Sequence, residues 1–398
     1  MYGIKDNLMD VKIISPADEQ CFFGYYDLNA YDSTGTKHLC HRVNFIDRIP
    51  GERDVAELGL VSEGRFEKIG ETTAWNFQQG ALLQFQKDSD EIVFYNERMD
   101  GDGACKAAVP CARTASYTTT VHNIRTGEKR HLPRAAACIS PNGRYALSIN
   151  FSRIFGFRAG YGYAGVPDAF ADCNRPTQDG IWLTDIETGE RRLIIDYERI
   201  YREFPVKGLE NEKMVVNHIT FNESSDRFLF LLRNFPSKSG TGWGTTLITS
   251  DLQGNMHLVL ENKFVSHYCW KSSSEILAFC TPKEEPGLFV LQDLTNQFTQ
   301  LKSPYPEGPF GGDIHCLCSP DKRYIIGDGY PDAEGYRPLF LYDTQTEKIQ
   351  KLLRSLSTAD DNWDIRCDLH ARFNRQGDKI SFDSTHSGMR QICEIVLK

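Results

Sequence analysis

Four histidines in the second half of the chain stand at the start of short β-rich runs: His218 in NHITF, His267 in SHYCW, His315 in IHCLC and His370 in LHARF. Asp368 lies two residues before His370, and side chains at that spacing share one face of an extended strand. Two neutral imidazoles and a carboxylate suit Mn, Zn, Fe or Ni better than Ca²⁺. His315, Asp368 and His370 are therefore predicted to bind a divalent transition metal of the Mn type.

The other two histidines are candidates for general base, because imidazole titrates near neutral pH. Arg233 is a candidate to hold a substrate carboxylate through two parallel hydrogen bonds. A metal beside it would neutralise and polarise that carboxylate. We therefore expect His218, His267 and Arg233 to be catalytic, and the set suits proton abstraction next to a carboxylate, as in β-elimination from a uronic acid sugar.

A repeat positions these histidines. Each copy has a short strand, a turn such as Ser-Pro-Asn-Gly, an apolar strand, and a later turn such as DIETGE (185–190). Seven copies at a spacing of roughly 50 residues are typical of four-stranded propeller blades. The sequence predicts an all-β fold, a seven-bladed β-propeller. The aligned part of each copy spans residues 28–43, 82–97, 137–150, 219–234, 268–280, 316–329 and 371–384.

The last copy leaves room for only three strands before the chain ends. We predict that residues 11–16, VKIISP, supply the missing strand and close the ring. The whole chain, 1–398, is then one domain, although two separate β domains remain an alternative. The predicted blades are 20–70, 75–133, 134–205, 213–262, 264–302, 310–355, and 364–398 together with 11–16.

One rim of the channel is predicted to form a polar funnel. The first strand of each propeller blade is innermost, so the histidines line this rim on blades 4 to 7, whereas Leu28, Leu82 and Ala136 occupy the equivalent positions on blades 1 to 3. The ends of the second strands and two long inserts, 99–117 and 151–180, return to the same rim, and such loops commonly carry function. The candidate substrate-binding residues are Arg42, Gln79, Arg98, Arg153, Tyr161, Tyr163, Asp328, Asp383 and His386.

Composition limits the classes of partner. The net charge of −9 and the absence of a Lys/Arg block argue against nucleic acid or an anionic membrane. Neither a signal peptide nor an apolar run of spanning length is evident, and scattered cysteines suggest reduced thiols in the cytoplasm. The G-x-G-x-x-G run at 160–165 lacks a βαβ context. No nucleotide cofactor is expected.

The phrases IHCLCSPDKRYIIGDG and CDLHARFNRQGDKISFDSTHSG resemble the sixth and seventh blades of oligogalacturonate lyases. These are cytoplasmic seven-bladed propellers related to the TolB-like group. The resemblance, mainly over 215–398, implies a manganese-type ion held by histidines of these blades and a glutamine. His315 and His370 match metal positions, and His267 matches a histidine beside the substrate. Asp368 stands where the family has another histidine, and Ile365 falls about where it has the glutamine.

Three functions follow from these expectations. The first is a carbohydrate-active lyase on a small acidic saccharide. The second is a non-catalytic propeller that binds a glycan or a protein on the same face. The third is a glycoside hydrolase in which Glu97, Asp328 and Asp383 supply an acid/base pair. The sequence leaves the sugar, its linkage, the metal and the oligomeric state open.

Overall fold

The structure is a computed structural model, and it describes residues 3–6, 9–100, 115–206, 210–236, 244–302, 312–357 and 362–397. Two short strands come first, β1 (Ile4–Lys5) and β2 (Val11–Ile13). The strands that follow form seven antiparallel sheets, each built from consecutive strands. The predicted seven-bladed β-propeller is therefore confirmed.

Blades 1 to 3 contain β3 to β14. In chain order these are Gln20–Phe22, His38–Val43, Ala56–Ser62, Arg65–Thr72; Gln84–Phe85, Ile92–Met99, Ser116–Asn123, Lys129–Leu132; and Ala136–Ile139, Tyr145–Ser148, Gly180–Asp185, Arg191–Asp196. Blades 4 and 5 contain β15 to β22, which are Met214–Phe221, Arg227–Asn234, Thr245–Asp251, Met256–Lys263; and Val265–Trp270, Glu275–Cys280, Gly287–Gln292, Phe298–Gln300. Blades 6 and 7 contain β23 to β29, which are Ile314–Cys318, Tyr324–Gly329, Tyr336–Asp343, Lys348–Leu356; and Arg372–Phe373, Lys379–Ser384, Gln391–Val396.

The chain termini meet in blade 7. Strand β2 pairs antiparallel with β29, with Val11 opposite Ile395 and Ile13 opposite Cys393. The N-terminal strand thus completes the last blade, and this prediction is confirmed. Strand β1 adds a fifth strand to blade 6, where Ile4 lies opposite Ser355, and the sequence analysis did not anticipate this second attachment.

The core lies between neighbouring blades. Blade 4 contributes Leu229 and Leu231 to a buried apolar cluster in which blade 5 places Ile276 and Ala278. The second strands of the repeat are apolar because both of their faces are covered by adjacent sheets. The first strands contact one another around the channel, β15 with β19 and β19 with β23, and so they hold their side chains in fixed relative positions.

Three of the positions that the repeat aligns have a left-handed backbone, and one of them lies at a β-bulge. The pairing of β15 with β16 shifts between Asn217 and Ile219, and His218 has a left-handed backbone with φ of 50°. His370 and Leu82 have φ of 44° and 53°. Non-glycine residues adopt this region uncommonly, and a bulge re-aims the side chains near it. The repeat therefore turns the same position toward the channel in three different blades.

The insert after β12 begins with a helix rather than a loop. Helix α1 (Phe151–Phe157) starts at Asn150, whose side chain accepts a hydrogen bond from the Arg153 backbone N–H. A single 3₁₀ turn, Ala159–Tyr161, follows it, and a second helix, α2 (Tyr197–Glu203), follows blade 3. Within the described residues, no helix has the length and apolar character needed to cross a membrane.

The glycines of the G-x-G-x-x-G run allow close packing of this insert. A Cβ on Gly160 would lie 2.5 Å from the Asp364 carbonyl oxygen, and a Cβ on Gly162 would lie 2.2 Å from the Phe155 nitrogen. Helix α1 precedes this run instead of following it. The pattern has a packing reason, and the insert lacks the strand–turn–helix order of a dinucleotide site.

Candidate active site

Blades 6 and 7 bring His315, Asp368 and His370 together. Their ligand atoms all lie within 4.8 Å of one another, and the three side chains are buried. Oδ2 of Asp368 is 3.9 Å from Nε2 of His315 and 3.8 Å from Nε2 of His370. Asp368 and His370 follow His315 in the chain by 53 and 55 residues, yet the three side chains converge on one point. The sequence analysis predicted this convergence for a metal centre.

A hydrogen bond at Nδ1 orients the imidazole of each of these two histidines. Nδ1 of His315 lies 2.9 Å from Oδ2 of Asp328, and Nδ1 of His370 lies 2.9 Å from the carbonyl oxygen of Gly24. Each acceptor favours the tautomer with the proton on Nδ1, which leaves a lone pair on Nε2. Metal-binding histidines are commonly held in this way.

The two Nε2 atoms are buried and have no hydrogen-bond partner among the described residues. Buried polar atoms without partners are costly and call for an explanation. Two such nitrogens facing a carboxylate fit a divalent transition metal. His315, His370 and Asp368 are therefore the residues that would hold it.

Asp368 also interacts with two buried arginines. Oδ1 lies 2.8 Å from Nη1 of Arg337, and Oδ2 lies 2.7 Å from Nη2 of Arg366. Burial alone would raise the pKa of Asp368, but these guanidinium groups hold it well below its usual range. The carboxylate is thus charged, and part of its charge is balanced before any metal binds.

His267 of blade 5 lies beside this centre, with its ring centroid 4.0 Å from that of His315. Its Nδ1 lies 3.2 Å from Oδ1 of Asp313 and 3.0 Å from Oγ of Ser266. Burial and the neighbouring His315 lower the pKa of His267 although Asp313 opposes the shift. A neutral imidazole whose Nδ1–H faces a carboxylate has Nε2 available to accept a proton.

His218 of blade 4 lies on the other side of the same space. Its Nδ1 is 3.1 Å from the hydroxyl of Tyr25, whose ring stacks on it at 5.3 Å. The Tyr268 hydroxyl donates to its backbone oxygen. Burial, together with the nearby charge of Arg233, holds the pKa of His218 well below its ordinary value. His218 is therefore neutral, but it lacks the carboxylate partner that His267 has.

A cavity of about 460 Å³, which we call the funnel, opens beside these histidines. Its volume is within the usual range for ligand sites, roughly 300–1,000 Å³. His218, His267, Arg233 and Tyr161 line it, and all four were predicted from the sequence. The remaining charged and aromatic side chains of its described lining are Arg158, Lys263, Phe264, Tyr330, Trp363 and Arg366.

The funnel lining is cationic and partly aromatic. Burial lowers the pKa of Arg233 to about 10, so its guanidinium remains charged at neutral pH. No carboxylate is present in the described lining. Phe264 and Trp363 are 49% and 59% exposed, and exposed aromatic rings of this size offer flat faces for a ligand. The lining therefore suits an anion that also has an apolar face.

The segment Phe23-Gly24-Tyr25-Tyr26-Asp27 crosses the channel beneath the histidines, and the sequence analysis assigned it no role. The Tyr26 ring lies 5.6 Å from that of His315 and 5.9 Å from that of His370. Gly24 has φ of 114°, and a Cβ there would lie 2.9 Å from the Gln79 carbonyl carbon. Only glycine fits this close crossing, so G-Y-Y-D was a signal that the repeat alignment did not use.

Two predicted substrate-binding carboxylates lie behind the site instead of in the funnel. Asp328 orients His315 and accepts a hydrogen bond from the Ala371 backbone N–H. Asp383 accepts from the backbone N–H groups of Phe23 and Gly24 and pairs with Arg372 at 2.7 Å. Both carboxylates position other parts of the site.

Other predicted residues lie apart from the described funnel lining. Gln79 lines a second cavity, described below. Arg42 pairs with Glu19 and Glu57 at 2.9 Å and 2.6 Å, and Arg98 pairs with Glu52 at 3.9 Å.

Three further candidates take part in local packing. Arg153 is fully buried and donates to the carbonyl oxygens of the 151–180 insert and of Met214. Tyr163 stacks on Phe151 at 4.4 Å. His386 bonds to Ser384 through Nδ1 at 2.8 Å. The predicted insert 99–117 lies largely outside the described residues.

Sequence reasoning missed Asp313, Arg158, Arg366, Lys263 and Trp363. Asp313 lies two residues before His315, as Asp368 lies two residues before His370. That repeated spacing was a usable signal. The other four lie in connecting segments or strand ends outside the aligned phrases, where the repeat gives no register.

No family model and no curated protein matches the chain. Among solved structures, the chain is similar to an oligogalacturonate lyase from Vibrio parahaemolyticus, with 14% sequence identity and a TM-score of 0.65. It is also similar to an oligogalacturonate lyase in complex with manganese, with 14% identity and a TM-score of 0.66. Each alignment covers 100% of this chain and 96% of the other. The resemblance to the fold of oligogalacturonate lyases is therefore confirmed over the full chain.

Proposed function

We propose that this protein is a lyase that cleaves a small uronic-acid-containing oligosaccharide by β-elimination in the funnel. One observation carries the proposal: a neutral, carboxylate-oriented histidine lies between a cluster of metal-ligand type and a cationic, partly aromatic cavity. The fold likeness to oligogalacturonate lyases is consistent with this chemistry. At 14% sequence identity the likeness concerns the fold. The proposed substrate and reaction are therefore argued from the residues of the site.

Anion recognition is assigned to three guanidinium groups of the lining, those of Arg158, Arg233 and Arg366. Arg233 donates from Nε to Thr245 Oγ1 at 3.2 Å and from Nη2 to the Val265 carbonyl oxygen at 3.4 Å. These contacts fix its plane and leave Nη1 for a ligand carboxylate. Guanidinium–carboxylate hydrogen bonds are among the strong ones.

His315, Asp368 and His370 are proposed to hold a divalent metal of the Mn type, which when bound would neutralise the substrate carboxylate and acidify the carbon next to it. His267 then takes the proton from that carbon through Nε2. The electron pair of the broken C–H bond forms the C=C double bond, and the bond to the glycosidic oxygen at the β carbon breaks. The leaving oxygen takes a proton from water or from the His267 imidazolium, which Asp313 stabilises.

The hydrolase alternative finds no support in the described funnel. Its candidate acids were Glu97, Asp328 and Asp383. Glu97 hydrogen-bonds Thr120, and the other two hold His315 and the Phe23–Gly24 backbone. A glycosidase needs two carboxyl groups flanking the scissile bond, and none of these lines the funnel.

A cytoplasmic location is part of the proposal. All ten cysteines among the described residues are free. Several are buried in adjacent strands, as Cys269 and Cys318 are, with sulfurs 3.9 Å apart. Reduced neighbouring thiols are typical of a reducing compartment.

The deciding experiment is a lyase assay on a panel of uronic acid oligosaccharides, including oligogalacturonides, with Mn²⁺ added. The unsaturated uronate product absorbs in the ultraviolet, whereas a hydrolysis product does not. We expect ultraviolet absorbance to rise with at least one substrate and to fall to background after metal chelation. Binding without any such product would favour a non-catalytic glycan-binding propeller and contradict the proposal.

A further inference from the structure

A second cavity of about 200 Å³ lies in the channel. Tyr161 and His218 line both this cavity and the funnel, so these two side chains form the partition between them. At its other end the cavity is lined by Ser140 and Pro141. Those residues lie in the turn between the first and second strands of blade 3, on the face opposite the funnel. We call this space the channel cavity.

The channel cavity contains a buried amide without partners. Asn217 lines it and is 2% exposed. Neither its Nδ2 nor its Oδ1 has a hydrogen-bond partner among the described residues. An unpaired buried amide costs about 1–3 kcal/mol. An amide kept there at such a cost points to a group that fills both of its hydrogen-bonding positions.

The bulge of β15 accounts for the position of this amide. The ladder shifts between Asn217 and Ile219, so Asn217 and His218 are adjacent residues that both line the channel cavity. His218 also reaches the funnel. One irregular strand thus supplies a side chain to each of two spaces.

The rest of the lining is polar, with one carboxyl, that of Asp27, and one amine, that of Lys87. Asp27, Gln79, Gln84 and Thr220 contribute a carboxyl, two amides and a hydroxyl. The Thr220 hydroxyl donates to Oδ2 of Asp27 at 3.2 Å. One acidic and one basic side chain give the lining no net preference for an ion, whereas amides and carboxyls pair well with hydroxyl groups.

We propose that the channel cavity is a second binding site, for a neutral polyhydroxylated molecule of monosaccharide size. The volume is smaller than the roughly 300–1,000 Å³ of sites for drug-sized ligands, which limits the occupant to a single small ring. The rings of Tyr25, Tyr161 and Phe151 line the same space and offer apolar faces to the C–H side of such a ring. Asn217 donates and accepts one hydrogen bond each to adjacent hydroxyls.

The test is binding of D-glucose, D-galactose, D-mannose and myo-inositol to the full chain, measured by calorimetry and by the shift in melting temperature. We expect at least one of them to bind. Asn217→Leu, which is close in volume, should lower that affinity at least tenfold. It should leave the melting temperature of the sugar-free protein unchanged or raised, because the Asn217 side chain has no hydrogen bond to a described residue that could be lost.

Two further variants separate this site from the funnel. Gln79→Leu changes another residue of the channel cavity lining and should also weaken sugar binding. This variant keeps the inference testable if Asn217→Leu does not fold. Arg233→Met changes only the funnel and should leave neutral sugar binding intact. The inference is independent of the lyase proposal, because it stands whether or not an unsaturated product forms.

Three results would overturn the inference. One is no binding of any of the four compounds at millimolar concentration. Another is sugar binding of the same strength in Asn217→Leu and Gln79→Leu. The third is a large fall in the melting temperature of sugar-free Asn217→Leu, which would mean that ordered water alone satisfies the amide.

Discussion

The two sides of the propeller ring use the same backbone for different purposes. Blades 4 and 7 have His218 and His370 at the position that the repeat aligns, and blade 2 has Leu82 there, all with a left-handed backbone and φ of 50°, 44° and 53°. On one side this backbone presents an imidazole to the site. On the other it presents an apolar side chain to the channel cavity. The repeat decides where the side chain is placed, and the residue type decides its chemistry.

The funnel and the channel cavity differ in the charge of their linings. The described funnel lining has Arg158, Arg233, Lys263 and Arg366 and no carboxylate. The channel cavity has one carboxyl, that of Asp27, one amine, that of Lys87, and several amides. Tyr161 and His218 line both spaces and form the partition between them. The channel of this propeller therefore contains two chemically distinct spaces.

Replacing His267 by Asn should have the largest effect on turnover. Removal of a general base costs about 10²- to 10⁴-fold, and we expect kcat on the active oligosaccharide to fall by that amount. Metal content should stay unchanged, since His267 is not among the three ligands. His131→Asn on blade 2, a half-exposed histidine far from the funnel, is the control. Equal turnover of His267→Asn and wild type would remove His267 as the base.

His370→Leu tests the comparison between blades directly, because Leu82 shows that leucine adopts the same backbone. We expect the variant to adopt the native structure and to lose more than about 100-fold in Mn²⁺ affinity. Loss of a residue that only orients a metal ligand would have a smaller effect, about 10- to 100-fold. Elemental analysis after gel filtration and calorimetric titration with Mn²⁺ measure this. Unchanged metal content would contradict the assigned ligand set.

Arg233→Met should weaken binding of the acidic oligosaccharide by about 10- to 100-fold, because hydrogen bonds to charged groups contribute about 1.5–3 kcal/mol. The salt dependence of binding should also decrease. Calorimetry in low and high salt measures both. Arg42→Met is the matched comparison: the sequence predicted the same role for Arg42, but its partners are Glu19 and Glu57, and we expect no change.

Asp27→Asn should change stability and its pH dependence. Burial raises the pKa of Asp27 from its ordinary value of 3.8 to about 6. The folded state therefore binds a proton more tightly, so wild-type stability falls as pH rises from about 4 to about 6, and the penalty is complete above that range.

The variant lacks this penalty and should be more stable at pH 7, by about 1–3 kcal/mol. The advantage should shrink toward pH 4. Urea unfolding at pH 4, 5, 6 and 7 measures it, with exposed Asp10→Asn as the control. A constant difference across this range would contradict the shift.

The sequence analysis recovered the parts that the repeat encodes. Turn chemistry and strand patterning predicted the seven blades and the closing strand β2, and the alignment placed His315, Asp368 and His370 in one cluster. The sequence analysis did not distinguish residues that face the funnel from residues that are only close in sequence to those that do. Arg153, for example, is buried in its own insert, because an unaligned insert has no register from which to predict a direction.

The sequence by itself determined the fold and the arc of histidines, because both depend on a local pattern repeated about every 50 residues. Only the tertiary structure decided which of those residues act together. The Gly24–Asp27 segment crosses the channel, Asp313 is beside His267, and Arg337 reaches Asp368 through contacts between residues far apart in the chain. Such contacts depend on how blades close into a ring, and no local pattern encodes them.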